Sequence, residues 1–448
     1  MTAKYPPGPH DRLFGITFHG PMHENPLGFA MKIAREYGDF AAVRIGWVRL
    51  YFVNRPDLIR EVLATKVKSF RKVTRQMRAL RKIEGDGLVV AEGSTWARHR
   101  PVVQGSFHLR HFGRYADVVV ERTRRRLGCW RPGVPFDLAV EMNELALEII
   151  ARLLFDVDVA QQAARLRDAV HVFRQAMQNE VASPLVLPDW LPLPGKIRQR
   201  RAIRVVLDLL GKLIRESRTC GSARQGMLAQ IVAAATQHPE LGITDRDIRD
   251  EVATLFVAGH DTTSAALAWL WFALSQHPEV ERRVLREVDL LDGRTVRHVD
   301  LPRLKYLEMV VKESMRLHPA TGFLFGREAV EDVELGGCTV KRGSWVFIAP
   351  HVVQRDARYF PSPEAFDPER FAPGRIEQIL PYSYLPFGGG PRICIGNHFA
   401  LMEAQIVLST WLKRADFVIP AGPKPQCVPL ATLRPGHITA QVRRRAAA

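Results

Sequence analysis

Cysteine is scarce and scattered in this chain: Cys129, Cys220, Cys338, Cys394 and Cys427, an odd number with no C-x-x-C pair. That excludes a disulfide framework and a zinc module of ordinary spacing, and it points to a reducing compartment. Long unbroken apolar runs are missing as well. The N-terminal MTAKYPPGPHDRLFG has no apolar core of signal-peptide length, and its prolines favour an extended segment over a helix. The most apolar stretch, 252–275, is long enough to span a membrane but carries His260, Asp261, Thr262, Thr263 and Ser264 at its middle, where lipid would penalise them. It is expected to be a buried helix of a cytoplasmic protein with no membrane span. No internal repeat or low-complexity linker interrupts the chain, so a single domain over 1–448 is expected, with a frayed RRRAAA end.

What is present is an ordinary globular balance, 46% hydrophobic and 25% charged, in a chain long enough for a sizeable core. The formal net charge is +17, with basic clusters in FHLRHFGRY (107–115) and ERTRRRLG (121–128). No helix-turn-helix, zinc-finger or RNA-recognition motif accompanies that charge, so nucleic acid is not expected as a partner. An acidic protein steered by the same field, or simply solvated helix faces, are the two uses left open. Short β-branched and aromatic runs lie at 41–53 and 338–349, with long helical pattern between them. The fold expected is mainly α with a small β region in which N-terminal and C-terminal strands meet, and a helical core at roughly 90–320 and 394–415. His277-Pro278 and His318-Pro319 mark helix ends, and Pro361 to Pro381 an irregular stretch.

Three constellations carry chemistry. On a helical wheel of 304–317, Leu304, Tyr306, Leu307, Met309, Val310, Val311, Met315 and Leu317 form one apolar arc, with Glu313 inside it and Arg316 at its edge. A surface i,i+3 pair contributes little; a carboxylate on an apolar face needs a bidentate partner, so a structural lock is the better reading. In AGHDTT (258–263), Gly259 sits inside a helix at a cost of ~1 kcal/mol against alanine, which implies close approach to its backbone or a local opening of the helix. Thr262 can bond the carbonyl of Ala258, and Asp261 sets an acid beside that hydroxyl, the makings of a proton-delivery pair at a buried site. In FGGGPRICIGN (387–397), Cys394 follows three glycines at the apparent start of a helix, where free N–H groups favour thiolate over thiol. A nucleophilic cysteine is the alternative, but no matching histidine–asparagine pattern is evident and Phe387, Ile393 and Ile395 make the surroundings apolar.

FGGGPRICIG (387–396) resembles the F-x-x-G-x-R-x-C-x-G haem-binding loop of the cytochrome P450 family. ESMR (313–316) is similar to its E-x-x-R element, FDPERF (366–371) to the segment supplying a further arginine, and AGHDTT to its oxygen-activating turn, all in the family's order. YPPGP (5–9), WARHR (96–100) and TLRP (432–435) extend the resemblance to nearly the whole chain. The resemblance implies a P450 fold with haem b buried between the central helix and the cysteine loop. It makes Cys394 the axial ligand of the haem iron, with Phe387 packed beside the sulfur. Trp96, Arg100, Arg392 and Arg327 become partners of the propionates, and Glu313, Arg316 and Arg370 the structural lock. Thr262 becomes the hydroxyl that hydrogen-bonds dioxygen, and Asp261 the acid that feeds it protons through water.

A dioxygen-dependent monooxygenase is therefore expected, with a peroxygenase or isomerase, or a haem-based sensor, as alternatives. By the same resemblance the substrate pocket is lined by Val89, Val90, Leu255, Ala258, Gly259, Ala320, Thr321, Phe323 and Leu324, together with the VPLATL segment (428–433). Such a lining suits a terpene, fatty acid, steroid or polyketide. With no fused reductase in the sequence, electrons are expected from NAD(P)H through a separate ferredoxin or flavodoxin-type partner to a monomeric enzyme. Arg98, His99, Arg110, Arg114, Arg122 and Arg124 are candidates for the docking face. VQRDARYF (353–360) departs from the family's pattern, and Gln354 is given no role.

Overall fold

A computed structural model describes residues 5–9, 15–156, 163–183, 187–219, 226–291, 295–420, 425–429 and 432–444. The chain divides into two compact units whose segments alternate along the sequence. One comprises Met1–Ala79, Glu313–Cys394 and Ala431–Leu433; the other comprises Leu80–Lys312, Ile395–Leu430 and Arg434–Ala448.

The first unit is built on a five-stranded sheet. Strands Phe40–Ile45 and Val48–Val53 form an antiparallel hairpin, and the second of them runs parallel to Trp345–Phe347, pairing Leu50 with Trp345. N-terminal and C-terminal strands thus meet, as their β-branched composition predicts. Arg327–Ala329 and Phe70–Lys72 complete the order. Alternation along Val48–Val53 divides the core: Tyr51 and Val53 pack on one face with Leu58, Val62, Val346 and Leu385, while Leu50 and Phe52 pack on the other with Ala30, Ile33 and Val43. The YPPGP segment is extended along the hairpin, the amide of Ala42 donating to the carbonyl of Pro7 at 2.9 Å.

The second unit is helical. Its longest element, the central helix Asp245–Ser275, opens with a capping box in which Thr244 and Asp247 satisfy each other's backbone N–H groups. It ends just before His277-Pro278, which starts the next helix, Pro278–Asp289. Leu255, Phe256, Leu267, Trp269, Trp271 and Leu274 are buried, as expected for a core helix, and among the described residues no helix is long and apolar enough to cross a membrane. The helix packs against Leu138–Phe155 and approaches it closely at Gly259, where a Cβ would lie 3.0 Å from Cδ1 of Ile150. Close approach, rather than an opened turn, explains this glycine, because the helix runs unbroken through it.

Candidate functional site

The lock forms as the wheel predicts. Helix Lys305–Leu317 buries its apolar arc, with Glu313 and Arg316 both at 0% exposure. Arg316 grips the carboxylate bidentately, Nε to Oε2 and Nη2 to Oε1, both at 2.7 Å. Its remaining N–H groups donate to the carbonyls of Gln354 (2.8 Å), Pro363 (2.7 Å) and Ala365 (2.9 Å), so the whole fork is satisfied. Glu313 also accepts the amide of Asp367 at 2.8 Å and lies 3.4 Å from Nε of Arg370, whose Nη2 donates to Ser362. Burial pushes the Glu313 carboxyl upward, and the guanidinium of Arg316 opposes that pressure. Gln354, given no role from sequence, belongs to the same knot. Its side-chain amide donates to the carbonyls of Met315 and Arg316 at the end of the helix and its oxygen accepts the amide of Leu385. No local sequence pattern marked it, because its partners lie 31 to 39 residues away.

The cysteine loop lies in the same unit. Helix Asn397–Leu412 begins three residues beyond Cys394, with Gly396 at its cap and a 3₁₀ turn over Gly390–Arg392 before it. Cys394 is therefore not at the helix start, as the sequence suggested, but in the short link between that 3₁₀ turn and the helix. Its amide donates to the carbonyl of Phe387 at 3.0 Å, closing the loop. Gly388 and Gly390 have φ of +72° and +68°, and a Cβ on Gly390 would lie 2.0 Å from the carbonyl oxygen of Leu63. The loop is thus folded tightly against its neighbour and presents Cys394 and Ile393 outward, both exposed. A lone soft sulfur beside apolar surface supplies one bond to a metal, which suits an iron whose other positions are filled by a flat macrocycle. Arg392 is half-buried on this loop, and Arg327 is buried on its strand, donating to the carbonyl of Phe325 at 2.7 Å. Ala320, Thr321, Phe323 and Leu324 follow the lock helix; Phe323 packs edge-on to Phe347. The backbone oxygen of Ala320 accepts the amide of Leu433 at 2.8 Å. Leu430 and Ala431 lie outside the described residues.

In the second unit, the hydroxyl of Thr262 donates to the carbonyl of Ala258 at 2.8 Å, the bond its position predicts. Asp261 is buried and forms ion pairs with Arg174 and Arg434. Burial lowers both guanidinium groups to about 9. Sequence reasoning missed both arginines; the signal for Arg174 was a cation between Val170, Phe173 and Met177 on one apolar stripe. The buried imidazole of His260 is pushed well below its ordinary range, first by burial and then by those two cations. A cavity of about 230 Å³ is lined by Asn143, His171, Ser264 and Arg434 among others, none of them among the expected substrate-lining residues. Val90 and Leu255 are buried, and Val89, Ala258 and Gly259 half-buried.

Trp96 and Arg100 lie on helix Gly93–Ser106, Arg100 with Nε 3.5 Å from Gln104. Between them His99 is buried against Glu251, Nδ1 to Oε1 at 2.7 Å. Arg122 is buried too, beside Glu121, and Arg98 is spent on the carbonyls of Leu241 and Gly242. The expected basic docking face is therefore smaller than the sequence suggests: His99 and Arg122 are interior, and Arg110 and Arg124 are exposed.

The cytochrome P450 family model matches residues 6–439. The chain is 33% identical over 399 residues to cyclooctat-9-en-7-ol 5-monooxygenase of Streptomyces melanosporofaciens, covering 88% of this chain and 85% of that one. It is 30% identical over 415 residues to pentalenene oxygenase of Streptomyces avermitilis, covering 92% and 91%. In three dimensions it is similar to the crystal structure of a cytochrome P450DA heme domain, with a TM-score of 0.89 at 24% identity over 100% of this chain and 99% of that one. The chain belongs to the cytochrome P450 family, as one of its monooxygenases.

Proposed function

We propose that this protein inserts one oxygen atom of O2 into a terpene-like hydrocarbon skeleton, using electrons that originate in NAD(P)H and arrive through a separate ferredoxin or flavodoxin-type donor. The observation that carries the reading is one chain holding both an outward-facing cysteine on a rigid glycine loop and a buried acid beside an alcohol on the central helix. The names of the two relatives above support the terpene class over fatty acid, steroid or polyketide. When bound, a haem iron with a thiolate ligand supplies the activation of dioxygen.

The roles of the protein groups follow from their chemistry. With haem bound, Cys394 would hold the iron through its sulfur, and Phe387 would pack beside that sulfur. Arg392, Arg327, Trp96 and Arg100 would hold the haem propionates. Thr262 holds a hydroxyl proton, and Asp261 moves protons to it once its carboxylate leaves Arg174 and Arg434. Ala258 keeps side-chain bulk away from that turn, and the largely apolar segments holding Val89, Val90, Leu255, Ala320, Thr321 and Phe323 would exclude water. Exposed Arg110 and Arg124 suit an acidic electron donor.

The reduced carbon-monoxide difference spectrum tests the centre: a thiolate-type Soret band is expected in the wild type and none in Cys394→Ala. Thr262→Ala is expected to keep that band while diverting reducing equivalents to hydrogen peroxide. An unchanged ratio of product to consumed reductant in Thr262→Ala refutes the proton-delivery role. Low-spin to high-spin shifts across a sesquiterpene and diterpene panel test the substrate class, and shifts with fatty acids alone refute it.

A further inference from the structure

The first half of the central helix carries a row of polar groups, buried at Asp250, Glu251 and Thr254, that the oxygen chemistry does not use. Asp247, Asp250, Glu251 and Thr254 recur at helical spacing on one face. The preceding segment, 85–91, lies directly on that face. Oδ2 of Asp250 accepts the amide of Asp86 at 3.0 Å, and Oε2 of Glu251 accepts the amide of Leu88 at 3.2 Å. The approach is close enough that a Cβ on Gly85 or Gly87 would lie 2.1 Å from the Asp250 carboxylate or the Thr254 hydroxyl. The other oxygen of Glu251 holds His99 at 2.7 Å, while Asp247 lies 3.7 Å from the far imidazole nitrogen. Glu251 is 2% exposed and His99 1%.

One carboxylate therefore joins two segments that have separate work. Segment 85–91 carries Val89 and Val90, and helix Gly93–Ser106 carries Trp96 and Arg100 on either side of His99. A surface ion pair would be a weak link. A buried carboxylate is different: each bond it loses exposes the desolvation of the group left behind, so neither segment can shift without disturbing the other.

We propose that Glu251 is a positioning residue that ties the Val89–Val90 segment, through His99, to the helix carrying Trp96 and Arg100, so that filling of the apolar pocket is felt at the propionate partners. The assignment of work to the two segments rests on the monooxygenase reading; the tie itself does not.

The test uses the holoprotein with two iron-ligating probes, imidazole and 1-phenylimidazole, read by the shift of the Soret band. Imidazole needs only the iron, whereas the phenyl group must also find the apolar lining. Glu251→Gln is expected to lower the ratio of 1-phenylimidazole to imidazole affinity at least tenfold, about 1.4 kcal/mol, with the carbon-monoxide Soret position unchanged. Glu251→Asp is expected to recover part of it. A ratio within twofold of wild type overturns the proposal.

Amide exchange supplies the second readout. In the wild type, 1-phenylimidazole is expected to slow exchange in both 86–91 and 96–103; in His99→Asn, which leaves the Leu88 bond in place, only in 86–91. Equal protection of both segments in that variant overturns the coupling. Because His99→Asn leaves one bond intact, it carries the test alone if Glu251→Gln does not fold. Exchange at the Leu88 amide without any probe, expected to be about tenfold faster in Glu251→Gln, checks the tie independently of haem. A missing thiolate Soret band sinks the monooxygenase reading without touching that result, and unchanged Leu88 exchange sinks the tie.

Discussion

Replacing Arg316 by lysine keeps the charge and changes only the geometry, so it isolates what the guanidinium fork does. The fork makes five hydrogen bonds: two to Glu313 and one each to the carbonyls of Gln354, Pro363 and Ala365. Lysine has three N–H donors on a single atom, so roughly two acceptors lose their partner, and the bidentate hold on Glu313 is lost. Each buried group left unsatisfied costs about 1–3 kcal/mol, which gives about 2–6 kcal/mol for the substitution. Whole-domain stabilities run to about 5–15 kcal/mol, so the variant is expected to fold but to sit close to its threshold. Urea denaturation of the apoprotein, followed by circular dichroism, measures the loss directly, and the midpoint must fall with little change in slope. A loss below about 1 kcal/mol would falsify the claim that the fork's geometry, rather than its charge, holds this knot together.

Glu403 is buried in helix Asn397–Leu412, and burial pushes its carboxyl up to about 8. A folded-state value above the unfolded one gives stability that is complete below about pH 4.5 and lost as pH rises toward 8. The wild type is therefore expected to lose roughly 3 kcal/mol between pH 4.5 and 7 relative to Glu403→Gln, and parallel pH profiles of denaturation would refute it. Gly390→Ala drives a methyl group into the carbonyl of Leu63 at a positive φ; loss of the carbon-monoxide Soret band with secondary structure retained is expected, and a normal band counts against the rigid-loop account. Asp261→Asn leaves the buried Arg174 and the half-buried Arg434 without their counter-ion, a cost of about 3–5 kcal/mol in thermal or urea unfolding; unchanged stability would show that the ion pairs are not formed in solution.

The parts of the site that were legible in the sequence are the local ones. Glu313 and Arg316 sit three residues apart on one helix, so periodicity alone brings them together. Thr262 and Ala258 share a turn for the same reason. Side chains that serve distant backbone have no such pattern: Gln354 caps a helix that ends 37 residues earlier, and Arg174 meets Asp261 from 87 residues away. Charge misled where burial was compensated. His99 and Arg122 looked like surface groups, but each is buried with a carboxylate beside it, and a polar side chain with a partner is at home in an interior. The position of Cys394 relative to its helix was wrong by three residues because Ile395 and Gly396 form a turn ahead of the first helical residue, the scale on which helix ends escape propensity.

Arg316 also has a bearing on the order in which the chain assembles. Three of its acceptors come from residues 354, 363 and 365, 38 to 49 positions downstream. Until those carbonyls arrive, the lock helix would bury a guanidinium that is only partly satisfied. Its docking is therefore expected to follow the folding-back of the downstream segment. Substitutions at Arg316 are accordingly expected to speed unfolding and leave the folding rate nearly unchanged; a slowed folding limb would place the knot in the nucleus instead.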